Sequence, residues 1–150
     1  MVNPLGAVVV FDGEVPRTFT AKAKTAISGG QLVVSSGAAN AVGSGASSYV
    51  VGDIEVDIVA DSDHCNGIAL NNAASGALVT VATRGAFLVR SAGIISGGQL
   101  VIPVSGTTAG VAAFAQVGSP NYALTGTPIG RNLIPTASGT ALYTLVSLNV

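Results

Sequence analysis

Any chemistry in this chain has to come from few residues: one histidine, one cysteine and seven acidic side chains. His64 and Cys65 are neighbours in the sequence. A Cys–His nucleophile pair needs facing groups, which normally come from distant segments. Side chains of adjacent residues in an extended turn diverge, so this pair does not read as a nucleophile. Asp61 and Asp63, followed by Asn66 and Gly67, partly match a calcium loop. An EF-hand needs a ligand at its fifth position and a glutamate at its twelfth, and counting from Asp61 those places hold Cys65 and Asn72. A turn in which Asp and Asn side chains bond their own backbone explains the same residues, and a looser calcium site at this turn stays open. The strongest local charge feature is the row Asp53, Glu55 and Asp57, alternating with Ile54, Val56 and Ile58. That alternation predicts a half-buried strand. At strand rise the three carboxylates span about 13 Å, close enough to favour cations nearby. Arg17, Lys22, Lys24, Arg84 and Arg90 are the candidates, from the same subunit or a neighbour. The row reads either as a solvated strand face or as an intersubunit ion-pair row.

Two glycine-rich turns have to position everything else. Ile27-Ser28-Gly29-Gly30-Gln31-Leu32-Val33 recurs letter for letter as Ile95-Ser96-Gly97-Gly98-Gln99-Leu100-Val101. Upstream, Phe19 aligns with Phe87 and Lys22 with Arg90; downstream, Gly67, Leu70 and Ala74-Ser75-Gly76 align with Gly130, Leu133 and Ala137-Ser138-Gly139. A phosphate loop would be followed by a helix and usually a lysine, whereas Gln-Leu-Val follows here, so each turn is expected to join two strands.

The rest of the sequence supports a β-protein. Short apolar runs lie between frequent glycines, and nothing shows sustained helical periodicity. The expectation is an all-β fold, a small barrel or sandwich, built from two internally duplicated β-units with long Gly/Ser/Pro-rich loops. Residues 1–18 read as an N-terminal arm, and 19–150 as a single β-domain whose repeats cover about 19–86 and 87–150. Within the arm, Val8, Val9, Val10 and Phe11 form an apolar strand, which would pair with the domain's own sheet or add to a neighbour. Arg84-Gly85 reads as a tight connection, Val111 to Val117 as a strand, Leu142 to Val150 as a terminal strand, and Asn71 to Ser75 has room for one helical turn.

Composition narrows the function. Net charge is −1, and nucleic-acid binding needs clustered Lys and Arg, so no nucleic-acid partner is expected. No run reaches the roughly 18 apolar residues of a membrane helix, and no segment reads as an export signal. A single cysteine allows no internal disulfide. Only 9% of residues are charged. That reads either as a β-protein surface tiled with Ser, Thr, Asn and Ala, or as a surface largely covered by partners, since interface centres are depleted in charge. No cofactor, metal or enzymatic activity is expected.

The pattern of a Gly-Gly-Gln-Leu-Val step at Gly29 to Val33, then Gly67 to Leu70, Ala73, Gly76, Val79, Val81 and Gly85, resembles the capsid decoration proteins of tailed phages, also called cement or head-fibre proteins. The likeness is fullest over about residues 19–90. It implies a structural virion protein, often a homo-oligomer and trimer, that binds the outside of an assembled icosahedral capsid and stabilises it. Its partners would be the major capsid protein and copies of itself, and it would sit on the capsid exterior after assembly in the host cytoplasm. Val8, Val9, Val10, Phe11, Asp53, Glu55 and Asp57 are the expected contact residues. The alternatives are another virion component, such as a capsid or tail subunit, and a non-viral surface adhesion module.

Overall fold

In the computed structural model, residues 17–38, 54–60, 64–104, 110–113, 127–136 and 143–150 are described. The arm strand Val8–Phe11, as well as Asp53, Asp61 and Asp63, lie outside them. The described chain is all-β, without a helix. Its strands are β1 (Arg17–Ala23), β2 (Leu32–Ala38), β3 (Ile54–Ile58), β4 (Gly67–Ala69), β5 (Leu78–Arg90), β6 (Leu100–Val104), β7 (Gly110–Ala113), β8 (Gly130–Asn132) and β9 (Tyr143–Asn149).

Five of these strands close a barrel in the order β1–β3–β2–β4–β5, with β5 returning to β1. Closure removes the sheet edges that would otherwise offer unpaired backbone groups. All but one of the pairings are antiparallel; β1 and β3 run parallel, with Lys22 opposite Glu55 and Ala23 opposite Val56. Alternation along each strand explains the packing. Ala21, Ala23, Val33, Val56, Val79 and Val81 point into the barrel and are fully buried.

The remaining strands continue from the far half of β5, in the order β5–β9–β8–β6–β7. A parallel bridge from Ser91 to Val111 brings β7 back to the end of β5. It is the counterpart of the pairing between Ala23 and Val56, and the same backbone bond follows each: Lys24 N–H donates to the Val56 carbonyl and Ala92 N–H to that of Val111, both at 2.9 Å. Further registers agree between the two strand sets. Leu32 faces Ile68 as Leu100 faces Arg131, and Ala69 faces Val81 as Asn132 faces Val146.

Arg84-Gly85 is not the tight connection expected from its residues. The 13-residue β5 runs straight through it, pairing with β1 up to Arg84 and with β9 from Arg84 onward. Gly85 holds φ at 141°, a backbone angle that glycine tolerates and other residues rarely adopt. A glycine read locally as a turn is here a kink that hands one strand from the barrel to the next strand set. The expected helical turn at Asn71–Ser75 is also absent. Ile27 and Ala73 form an isolated antiparallel bridge instead, each N–H donating to the other's carbonyl at 2.9 Å.

Two buried clusters follow from this arrangement. One fills the closed barrel, around Ala21, Ile27, Val33, Val56, Val79 and Val81. The other joins Leu32, Val59, Ile68 and Ala82 of the first strand set to Phe87, Val89, Ile95, Val101, Val146 and Leu148 of the second. Leu32 and Val33 are successive strand residues, both fully buried, yet they belong to different clusters. Strand β2 therefore buries both of its faces, one inside the barrel and one against the second strand set.

Candidate interaction surface

The acidic strand is where the sequence puts it, and its surroundings can be read directly. Glu55 and Asp57 are half-buried on β3. Glu55 accepts a hydrogen bond from Ser36 Oγ at 3.0 Å, and Asp57 accepts from Thr25 Oγ1 at 2.5 Å and from the Ile58 N–H at 2.9 Å. The register sets the backbone of Glu55 opposite that of Lys22 on β1. On the apolar side of β3, Val56 is buried, Ile58 is half-buried, and Ile54 is 43% exposed.

The Ser-Gly-Gly segments are turns closed by their own glutamines. Ser28 N–H donates to Gln31 Oε1 at 2.7 Å, and Ser96 N–H to Gln99 Oε1 at 3.0 Å. Gly30 N–H and Gly98 N–H donate at 2.7 Å to the carbonyls of Ala69 and Asn132. These amides already have acceptors, so they do not make an anion cradle. Gly30 and Gly98 take φ of 89° and 78°, which the turn requires.

Cys65 is half-buried against the core and donates from Sγ to the Gly67 carbonyl at 3.4 Å. Burial pushes its thiol up to about 11, and hydrogen bonds from the backbone at Gly67 and Val33 offset this only in part. A reactive cysteine needs its thiolate near neutral pH, so this thiol is set in the opposite direction. His64 beside it is exposed. Among the described residues no three His, Cys, Asp or Glu side chains come together as a metal site.

Two features escaped the sequence reading. The first is a buried polar network in the second strand set. The Asn132 amide nitrogen donates to the carbonyls of Ile134 (2.7 Å), Ser96 (3.2 Å) and Ile95 (3.3 Å), and Asn132 Oδ1 accepts from Thr144 Oγ1 at 2.5 Å. Thr136 Oγ1 accepts from the Ile95 N–H at 2.7 Å. In the barrel the matching positions are Ala69, Val79 and Ala73, all apolar. The second feature is an apolar end beside that network: Ile94 is 66% exposed, Ile134 55% and Leu133 42%. Aligning the two copies residue by residue would have found the second, because Ile94 stands where the first copy has Ala26, and Ile134 where it has Asn71.

A closed five-stranded barrel extended by further strands, with no helix among the described residues, defines an all-β fold. Its fold is similar to a solved structure, the N base of the head fiber gp8.5 in bacteriophage phi29, with a TM-score of 0.55 and 17% sequence identity over 90% of this chain and 95% of that one. No protein-family model matches the sequence, and no curated protein matches it.

Proposed function

We propose that this protein is a structural part of a tailed-phage particle that binds the outside of the assembled icosahedral head shell and stabilises it. The observation that carries the reading is the shared fold with the phi29 head fiber base, which extends over nearly the full length of both chains. A chain with only 9% charged residues, whose interface centres need little charge, is consistent with it. In this reading the protein's partners are the major capsid protein and further copies of itself, arranged as a trimer on the capsid exterior after assembly in the host cytoplasm. Its work is contact, spread over many sites on the shell, and involves no catalytic step. The two strand sets descend from one duplicated β-unit, and the N-terminal arm with Val8–Phe11 adds a strand to a neighbour.

Imaging of particles assembled with and without the protein tests this reading. Extra density on the outer face of the head is the expected result. Density at the tail would assign it to another virion component, and no difference between the particles would sink the proposal. In the same assay, deleting residues 1–16 should lower occupancy of the shell; unchanged occupancy would remove the arm from the mechanism.

A further inference from the structure

We propose that Arg131 caps the molecule: it stands in the middle of the face on which a further β-unit would stack, and its fixed charge stops another copy of this chain from continuing the array there.

The first strand set shows how one unit receives the next. Leu32, Ile68 and Ala82 lie opposite one another across β2, β4 and β5, so their side chains form one row on the outside of the closed barrel. All three are fully buried, and they share a cluster with Phe87, Val89, Val101, Val146 and Leu148 of the second set. Val34, two residues beyond Leu32, packs against the same cluster. An apolar outer row is thus what holds the second set against the first.

The second set carries the same row with different residues. Leu100, Arg131 and Ser147 lie opposite one another across β6, β8 and β9, in the registers that Leu32, Ile68 and Ala82 hold across β2, β4 and β5. The glycine before each middle residue agrees: a Cβ on Gly130 would collide with the Ser147 carbonyl, as one on Gly67 would with that of Ala82. Leu100 and Ser147 are half-buried and Arg131 is exposed, and Ile102, the match of Val34, is half-buried too. Leu100 and Ile102 would suit a third unit, and Arg131 blocks it. An arginine keeps its charge at any working pH and cannot shed it to enter an apolar contact. Arg131 Nη1 donates to the Gly98 carbonyl at 2.6 Å, which ties the guanidinium to its own strand set. Burying an unpaired charge costs more than the apolar contacts around it contribute. Stacked units need a polar outer face at the end of the array, because a head-to-tail contact that does not close grows into filaments. Shell binding plays no part in this contact.

Sedimentation velocity of the purified full chain, run beside wild type over a range of concentrations, tests the cap. Arg131→Ile combined with Ser147→Ala restores an apolar row. It should tighten association about tenfold or more, with species that keep growing as concentration rises. Electron micrographs of this variant should show single-file filaments. Arg131→Glu, which keeps a charge in the row, should sediment as wild type does. If the double variant loses its melting transition, the single change Arg131→Gln carries the same test. Three outcomes would overturn the proposal: a folded, uncharged variant that sediments as wild type, an Arg131→Glu variant that associates as strongly as the uncharged one, or amorphous aggregates in place of filaments, which would mean that no defined stacking was being held back.

Discussion

At the scale of single residues, the second strand set is specified by polar atoms where the barrel uses small apolar ones. Asn132 is fully buried and bonded through both ends of its amide, and among the described residues no buried side-chain polar atom lacks a partner. A satisfied network of this kind is costly to break on one side only, because the groups left behind stay buried and unpaired. Asn132→Ala should therefore destabilise the protein by about 3 kcal/mol in urea unfolding. Adding Thr144→Val, which with Asn132→Ala copies the barrel's Ala69 and Val79, should cost less than the two single changes summed, because the Thr144 hydroxyl has by then lost its shorter bond and keeps only the Ile134 carbonyl at 3.1 Å. Strict additivity would show that the network is not coupled. Cys65 provides a pH test. Its thiol is raised from 9.0 to about 11 by burial, so the folded chain holds the proton over a range where the unfolded chain releases it. Stability is then unaffected below pH 9 and falls as pH rises from there toward 11. Cys65→Ser should flatten that fall, and an unchanged slope would assign it to other groups. None of this was legible in the sequence. Asn132 follows an arginine in a short polar run, and only the fold turns it inward.

At the scale of elements, what the sequence announces is local and what it hides is long-range. The two Ser-Gly-Gly turns, the alternation of Ile54, Val56 and Ile58 around Glu55 and Asp57, and the terminal strand could all be read because turn chemistry and period-two patterning act within a few residues. The parallel pairing of β1 with β3 could not, since the partners Ala23 and Val56 are far apart in the chain and no local pattern encodes who pairs with whom. Gly85 misleads for a related reason: an Arg-Gly pair looks like a turn, and only the β9 partner, Leu148 opposite Gly85, shows that the strand continues. Glycines within these elements serve different ends, and substitution separates them. A Cβ on Gly130 would lie 2.2 Å from the Ser147 carbonyl oxygen, just as one on Gly67 would lie 2.3 Å from that of Ala82. Strand β8 thus approaches β9 more closely than any side chain allows. Gly98 has nothing within 4 Å of a Cβ and carries only a positive φ of 78°. Gly98→Ala should cost about 1–2 kcal/mol, the price of the left-handed conformation. Gly130→Ala should cost more, on the order of 3 kcal/mol, because backbone must move. Equal losses in thermal unfolding would show that β8 can shift away from β9.

At the scale of the whole molecule, the two strand sets are similar in register yet not independent. The boundary at 86/87 that the repeat suggests falls inside β5, whose near half pairs with β1 and whose far half pairs with β9. The cluster around Leu32, Ile68, Phe87 and Leu148 then welds the outer face of the barrel to the second strand set. The two sets therefore share a strand and a core, and neither can lose its order without exposing buried surface of the other. That coupling predicts a single cooperative transition, with calorimetric and van't Hoff enthalpies in agreement. It also predicts unequal fragments. Residues 1–86 retain the strands of the closed barrel but would expose Leu32, Val59, Ile68 and Ala82 to water, four residues that are buried in the full chain. That surface is worth several kcal/mol, on the order of 1.5–3 for each large side chain, so this fragment should melt far below the parent or aggregate. Residues 87–150 begin beyond Arg84, Gly85 and Ala86, where β9 would lose the partners of Asn149, Leu148 and Ser147, and should not fold alone. A fragment 1–86 that melts at the parent's temperature, or two resolved transitions in the full chain, would mean that the shared strand joins two separable strand sets.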